Sequence, residues 1–233
     1  TDISVDDLSS DYFNGNNYNT NLYPNAIDPA IFYDKDGGMW MAYGSWSGGI
    51  FTLEIDPATG KAKYPGKTYT RDDGLLVDQY FGTRIAGGKA NSGEGPFVVY
   101  DEKTDYFYLY MSYNFLDSVS GYNMRLFRSK NPDGPFVDAA GNNANMFVSS
   151  DKSHEDVGIK VMGTYKFSCL DKYYKSEGHN SAMIDDDGQM YLFYHTRFSD
   201  SGEYHELRVH QQFQNEKGWP VTAPFENKGD KIS

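Results

Sequence analysis

The chain has 233 residues, a formal net charge of -12 and one cysteine, Cys169. That length suits one large domain with a substantial core. The acidity excludes the basic footprint that nucleic acid or an anionic membrane surface needs, a lone cysteine allows no internal disulfide, and no apolar run is long enough to span a membrane.

Residues 1–24 are polar and rich in Asn and Tyr, and they read as a lead-in loop. The chain opens on Thr1 without a leader-like stretch, so a preceding segment is expected to have been removed or to lie outside this sequence. A first unit spans 25–70, with strands expected near 29–34, 39–45 and 50–55 and a closing turn at Asp56-Pro57-Ala-Thr-Gly60. Residues 60–93 read as a Gly- and Asp-rich connection holding a strand or short helix. A second unit spans 94–137, with strands near 96–101, 106–113 and 123–129, and it closes at Asn131-Pro-Asp-Gly-Pro135. A third unit is taken as 157–225, including a strand near 158–167 and strands near 181–185, 190–196 and 206–213.

The three units begin alike. Asn25-Ala-Ile-Asp28-Pro leads into a short apolar strand, an acidic turn and Met-Trp-Met-Ala-Tyr43; Gly-Glu94-Gly-Pro leads into the same sequence of features ending in Tyr-Phe-Tyr-Leu-Tyr110; Gly-His179-Asn leads into a third. Alternation is period-two throughout and the turns are Asp/Gly-rich, both hairpin signals, with no sustained helical periodicity. A recurring strand-turn-strand unit within one domain predicts an all-β chain and a β-propeller, with a two-sheet sandwich as the rival.

In a propeller the first strand of each blade lies nearest the axis. Asp28, Glu94 and His179 are therefore expected to converge on one cavity. Taken singly, each has an ordinary reading: a turn at Asp-Pro, a loop at Glu-Gly-Pro, a bonded polar turn at Gly-His-Asn. Their common register position is what argues for function. Two carboxylates facing a cavity with aromatic rims suit glycosidic bond cleavage, which needs an acid for the leaving oxygen and a base for water. Gly93 and Gly95 leave Glu94 open to close approach by substrate. His205 and His210 read as surface or inter-strand residues, and Asp185-Asp186-Asp187-Gly188 reads as a hairpin turn rather than a calcium loop.

These segments carry a resemblance to glycoside hydrolase family 43, nearest to its endo-arabinanases. Asn25-Ala-Ile-Asp28-Pro with Tyr43-Gly-Ser-Trp46-Ser-Gly-Gly-Ile resembles one blade signature, and Gly-Glu94-Gly-Pro-Phe-Val-Val-Tyr100 resembles the segment bearing the family's general acid. Tyr122-Asn-Met-Arg125, Gly178-His179-Asn-Ser-Ala and His195-Thr-Arg197-Phe resemble further segments. The resemblance implies a five-bladed propeller, about three blades of it in this chain, and an inverting mechanism on α-1,5-linked L-arabinofuranose. It implies Glu94 as general acid, and Asp28 as the carboxylate that raises the acid's pKa and orients it. It implies Trp46, Ser45, Ser47, Asn25 and Arg197 on the sugar, and His179 beside a calcium ion held mostly through water. It also implies an extracellular or periplasmic setting.

The family's base is an Asp in its first blade, and no such unit is found here. Asp2, Asp6, Asp7 and Asp11 lie in the polar lead-in without a following apolar strand. The base is therefore expected outside this chain, on an N-terminal propeller half or through self-association. The alternatives are a non-catalytic carbohydrate-binding propeller, one half of a split propeller, and a family 43 exo-arabinofuranosidase or xylosidase.

Overall fold

The computed structural model describes residues 9–229. Apart from two single-turn 3-10 helices, Ser10–Tyr12 and His154–Asp156, the regular structure among them is strand. Asp2, Asp6 and Asp7 lie outside the described residues. The acidic turns form by one local device, in which an Asp carboxylate accepts hydrogen bonds from backbone N–H groups just ahead of it. Asp34 Oδ1 accepts from Asp36 and Gly38, Asp56 Oδ1 from Ala58, Asp101 Oδ1 from Lys103, and Asp185 Oδ1 from Asp187 and Gln189.

The lead-in is more ordered than a loop. β1 (Phe13–Asn14) and β2 (Asn17–Tyr18) form a small hairpin. Tyr12 is buried behind it, its hydroxyl donating to Asp78 Oδ2 at 3.0 Å. Rings of Tyr12, Tyr18 and Tyr23 pack against Phe81. Polar composition hid this because Tyr12 and Tyr18 pack their rings while keeping their hydroxyls bonded.

The first sheet comprises β3 (Ala30–Tyr33), β4 (Met39–Tyr43) and β5 (Ile50–Asp56), all antiparallel. It does not stop at residue 70. The stretch 60–93 holds β6 (Lys61–Lys63), β7 (Tyr69–Thr70), β8 (Leu76–Asp78) and β9 (Gly82–Ala86). β6 pairs with the end of β5, while β9 pairs with its start and carries β8 and β7 outward. These strands are two to five residues long, too short for alternation to be read.

The second sheet is β10 (Glu94–Asp101), β11 (Tyr106–Tyr113), β12 (Asn123–Ser129) and β13 (Ile159–Gly163). This corrects the third unit's start, since the strand near 158–167 pairs with β12. The long loop between β12 and β13 concealed the partnership, and ladder pairing alone decides it. The third sheet is β14 (Tyr174–Ile184), β15 (Met190–Phe198), β16 (Glu206–Gln214) and β17 (Pro220–Thr222).

The sheets pack face to face in chain order. Phe32, Ala42 and Ile50 of the first meet Phe107, Leu109 and Met111 of the second. Tyr108, Tyr110 and Leu126 on the second sheet's other face meet Ala182, Leu192 and Tyr194 of the third. The leading strand β10 consequently lies between β3 and β14, which brings the three lead segments together. At the two ends of this stack, apolar side chains stay exposed: Ile31 and Tyr33 on β3, and Met183, Phe213 and Val221 on the third sheet.

Candidate active site

Glu94 is the first residue of β10. Its Oε2 accepts from Trp46 Nε1 at 3.1 Å and from Ser45 Oγ at 3.4 Å, and its Oε1 accepts from the Tyr122 hydroxyl. Trp46 reaches the carboxylate because the turn between β4 and β5 holds both Trp46 and Ser47 at positive φ (47° and 45°). Its backbone N–H also donates to Gly93 O at 2.8 Å. Asn25 secures that turn, donating through Nδ2 to Ser45 O at 2.8 Å and to Ser47 Oγ at 3.0 Å.

Asp28 stands just ahead of β3 in left-handed backbone, φ 55°. Its Oδ2 accepts from Gly95 N at 3.1 Å, so one backbone N–H ties it to the residue after Glu94. Its Oδ1 lies 3.8 Å from His179 Nε2. Gly95 suits this position by its backbone, φ +56°, and a Cβ there would meet the His179 ring at 3.4 Å, an ordinary contact. The sequence-predicted trio Asp28, Glu94 and His179 thus meets at one place.

His179 is not the first residue of its strand. β14 begins five positions earlier and is bulged on both sides of Gly178, with Ser176 and His179 both at positive φ. The bulges turn the half-exposed imidazole toward Asp28. Beside it runs a stack of rings. His195 lies 6.4 Å from His179, 5.9 Å from Tyr122 and 4.3 Å from His205, all near parallel. Burial, then the neighbouring His205, Arg197 and His179, push His195 down to about 4, so it is neutral at neutral pH. Tyr122 is fully buried. Burial first, then the Glu94 charge, hold its phenol above the ordinary tyrosine range, which keeps it a donor.

Arg197 sits apart from the carboxylate pair. It is buried, and its Nε pairs with Glu203 Oε2 at 2.7 Å. Among the described residues, no group of three or more His, Cys, Asp or Glu is arranged to hold a metal ion. His179 offers one ring nitrogen, a donor set that fits only a cation bound mainly through water.

A carboxyl group held by three donors, with a second carboxylate bonded to the next residue's N–H and aromatic rings beside it, is suited to donating a proton to a leaving oxygen. The sequence model of Glycosyl hydrolases family 43 matches residues 7–220. The chain belongs to that family. Among family relatives it is 45% identical over 229 residues to an extracellular endo-alpha-(1->5)-L-arabinanase 2 of Bacillus subtilis, covering 94% of this chain and 46% of the relative. It is 43% identical to an extracellular endo-alpha-(1->5)-L-arabinanase of Thermotoga petrophila, over 99% of this chain and 47% of that one. A crystal structure of the Thermotoga petrophila endo-1,5-alpha-L-arabinanase superposes with a TM-score of 0.80 at 42% identity, covering all of this chain and 49% of that one. The chain therefore spans about half the length of the curated family members it matches.

Sequence reasoning gave no role to Tyr122 or His205. The signal for Tyr122 was the glycine before His179. A Cβ on Gly178 would fall 2.1 Å from the Tyr122 ring, so only glycine lets the phenol lie against β14. His205 left no such signal: it lies just ahead of β16 and reaches His195 only through the turn joining the two strands.

Proposed function

We propose that this chain is the acid-bearing part of an inverting glycoside hydrolase that cleaves α-1,5-linked L-arabinofuranose chains. The observation that carries it is the Glu94 carboxyl, fixed by Trp46, Ser45 and Tyr122 one peptide from the residue that bonds Asp28. Glu94 gives its proton to the glycosidic oxygen as the bond breaks, and Asp28 orients it through Gly95. Trp46 and Ser45 line the sugar cleft. Asn25 and Ser47 act on substrate through the turn they hold, and Arg197 supports the wall from behind. The extracellular relatives support an extracellular or periplasmic setting.

The attacking water needs a carboxylate base on the opposite face of the sugar. We assign that base outside this chain, on the part of a five-bladed propeller that these three sheets do not supply. The exposed apolar faces at the two ends of the stack support the reading, as does the half-length coverage of the relatives. The partner is an N-terminal propeller half or a second copy. A calcium ion bound mostly through water beside His179 would place positive charge next to Asp28. A melting temperature that stays the same when calcium is replaced by a chelator removes that ion from the proposal.

The test is reducing-end release from linear arabinan, by the chain alone and after mixing with a polypeptide that carries the remaining blades. The expected result is negligible release alone and ordinary turnover in the mixture, lowered roughly 10²–10⁴-fold by Glu94→Gln. Turnover in the mixture that ignores Glu94→Gln would overturn the acid assignment. Binding of arabinan without turnover in any mixture would favour a carbohydrate-binding role.

A further inference from the structure

The loop from Asn114 to Gly121, between β11 and β12, presents three apolar side chains to water: Phe115 is 64% exposed, Leu116 47% and Val119 86%. Exposed apolar residues on a flexible loop would carry little meaning. This loop, however, is clamped. Asn114 N donates to Ser92 Oγ at 2.7 Å, and its Nδ2 donates to Gly121 O at 3.2 Å. The Asp117 carboxylate accepts from Val119 N and Ser120 N at 2.8 and 2.6 Å and from Ser120 Oγ at 2.6 Å. The carbonyl of Asp117 accepts from Ser176 Oγ on β14, which fastens the loop to the third sheet. The loop thus holds an apolar patch in place without covering it, which is the signature of a preorganised binding surface.

The patch is continuous with the acid. The Phe115 ring stacks on Trp46, centroids 5.1 Å apart and planes 26° from parallel. The same indole donates to Glu94 Oε2. One face of Trp46 is therefore covered by Phe115, whose own outer ring face looks into solvent. A path of aromatic surface runs outward from the proton donor, with its polar anchor at the inner end. Sugar sites are built this way, with apolar faces that take ring C–H groups and a few placed polar groups that fix orientation. The acid serves the oxygen that departs with the leaving group, so sugar units on this side of the cleaved bond belong to the leaving group.

We propose that Phe115 is a specificity-determining platform for the leaving-group side of the arabinofuranose chain, packing against a sugar unit beyond the one that receives the proton. The proposal rests on the arabinan reading of the same site. It requires that Phe115 add affinity only when the ligand is long enough to reach it.

The experiment is calorimetric titration of the chain mixed with the polypeptide that carries the remaining blades, with Glu94→Gln present throughout to prevent turnover, comparing Phe115 with its Phe115→Ala and Phe115→Tyr variants against arabinobiose and arabinohexaose. Circular dichroism checks that the exposed substitution leaves the fold intact. The expected result is that Phe115→Ala weakens arabinohexaose binding about tenfold, the scale of one lost aromatic contact. Arabinobiose should be little affected, and Phe115→Tyr should keep the wild-type difference between the two ligands. Equal losses for both ligands would mean that Phe115 merely props Trp46, and that outcome overturns the platform. Unchanged arabinohexaose affinity in Phe115→Ala overturns it as well. A wild-type mixture that binds neither ligand defeats the arabinan reading itself, and the platform with it.

Discussion

The two interfaces between the sheets are built from different chemistry. Between the first and second sheets lie Phe32, Ala42, Ile50, Val98, Phe107, Leu109 and Met111, a contact of hydrocarbon and phenyl rings. Between the second and third, apolar residues share the space with buried polar groups. Tyr110 donates to Gln212 Oε1 at 2.7 Å, Ser112 to Asn180 Oδ1 at 3.2 Å, and His179 N to Ser112 Oγ at 2.7 Å. Glu177 is fully buried two residues before His179, and neither of its carboxylate oxygens accepts a hydrogen bond from another residue. The first interface depends on volume where these side chains meet, while at its site end Trp46 and Ser45 donate across it to Glu94 and Gly95 N donates to Asp28. The second depends on pairing and on protonation, and it is the one that sets His179 against Asp28. Polar groups there fix one orientation of β14, because a mispaired buried donor or acceptor costs far more than a poorly packed methyl gains.

The largest expected effect breaks the apolar interface. Leu109→Ala should destabilise the chain by about 2–5 kcal/mol in urea unfolding, with little dependence on pH. A loss that varied strongly between pH 4 and pH 8 would show that this interface is not purely apolar.

Glu177 sharpens the contrast. Burial pushes its carboxyl up to about 7, with Lys160 offsetting part of the rise. An acid whose folded-state pKa lies above its unfolded value destabilises the fold once the unfolded chain ionises. The penalty is absent below about pH 4, grows between the two pKa values and is complete above about pH 7. Glu177→Gln should therefore be nearly neutral at pH 4 and stabilising at pH 8, by up to about 3 kcal/mol. Melting temperatures at the two pH values decide it, and an equal shift at both would rule out the titration.

A smaller effect is expected at Tyr110. Tyr110→Phe keeps the ring and strips Gln212 Oε1 of its donor, which should cost about 1–2 kcal/mol. The double variant with Gln212→Leu should recover part of that loss. Full additivity of the two substitutions would mean that the bond contributes nothing.

Much of the candidate site could be read before any coordinates. Asp28, Glu94 and His179 each stand six or seven residues before the acidic turn of their unit, and face-to-face packing of the sheets brings those positions together although His179 lies inside β14 rather than at its head. Other parts could not be read. Trp46 and Tyr122 come from different sheets, and their hydrogen bonds to Glu94 depend on a positive-φ turn in one case and on a glycine in a neighbouring strand in the other. Arg197 was placed on the sugar only by the family resemblance, and in the fold its Nε pairs with Glu203.

The sequence by itself determined the local features. Period-two alternation makes strands, and an Asp at the head of each turn satisfies its own next few N–H groups, both within reach of a handful of residues. Tertiary structure alone decided which strand completes the second sheet, how β14 bulges and where Glu177 is buried. Those outcomes depend on pairing between segments tens of residues apart, where a register difference of one position would turn every side chain to the opposite face.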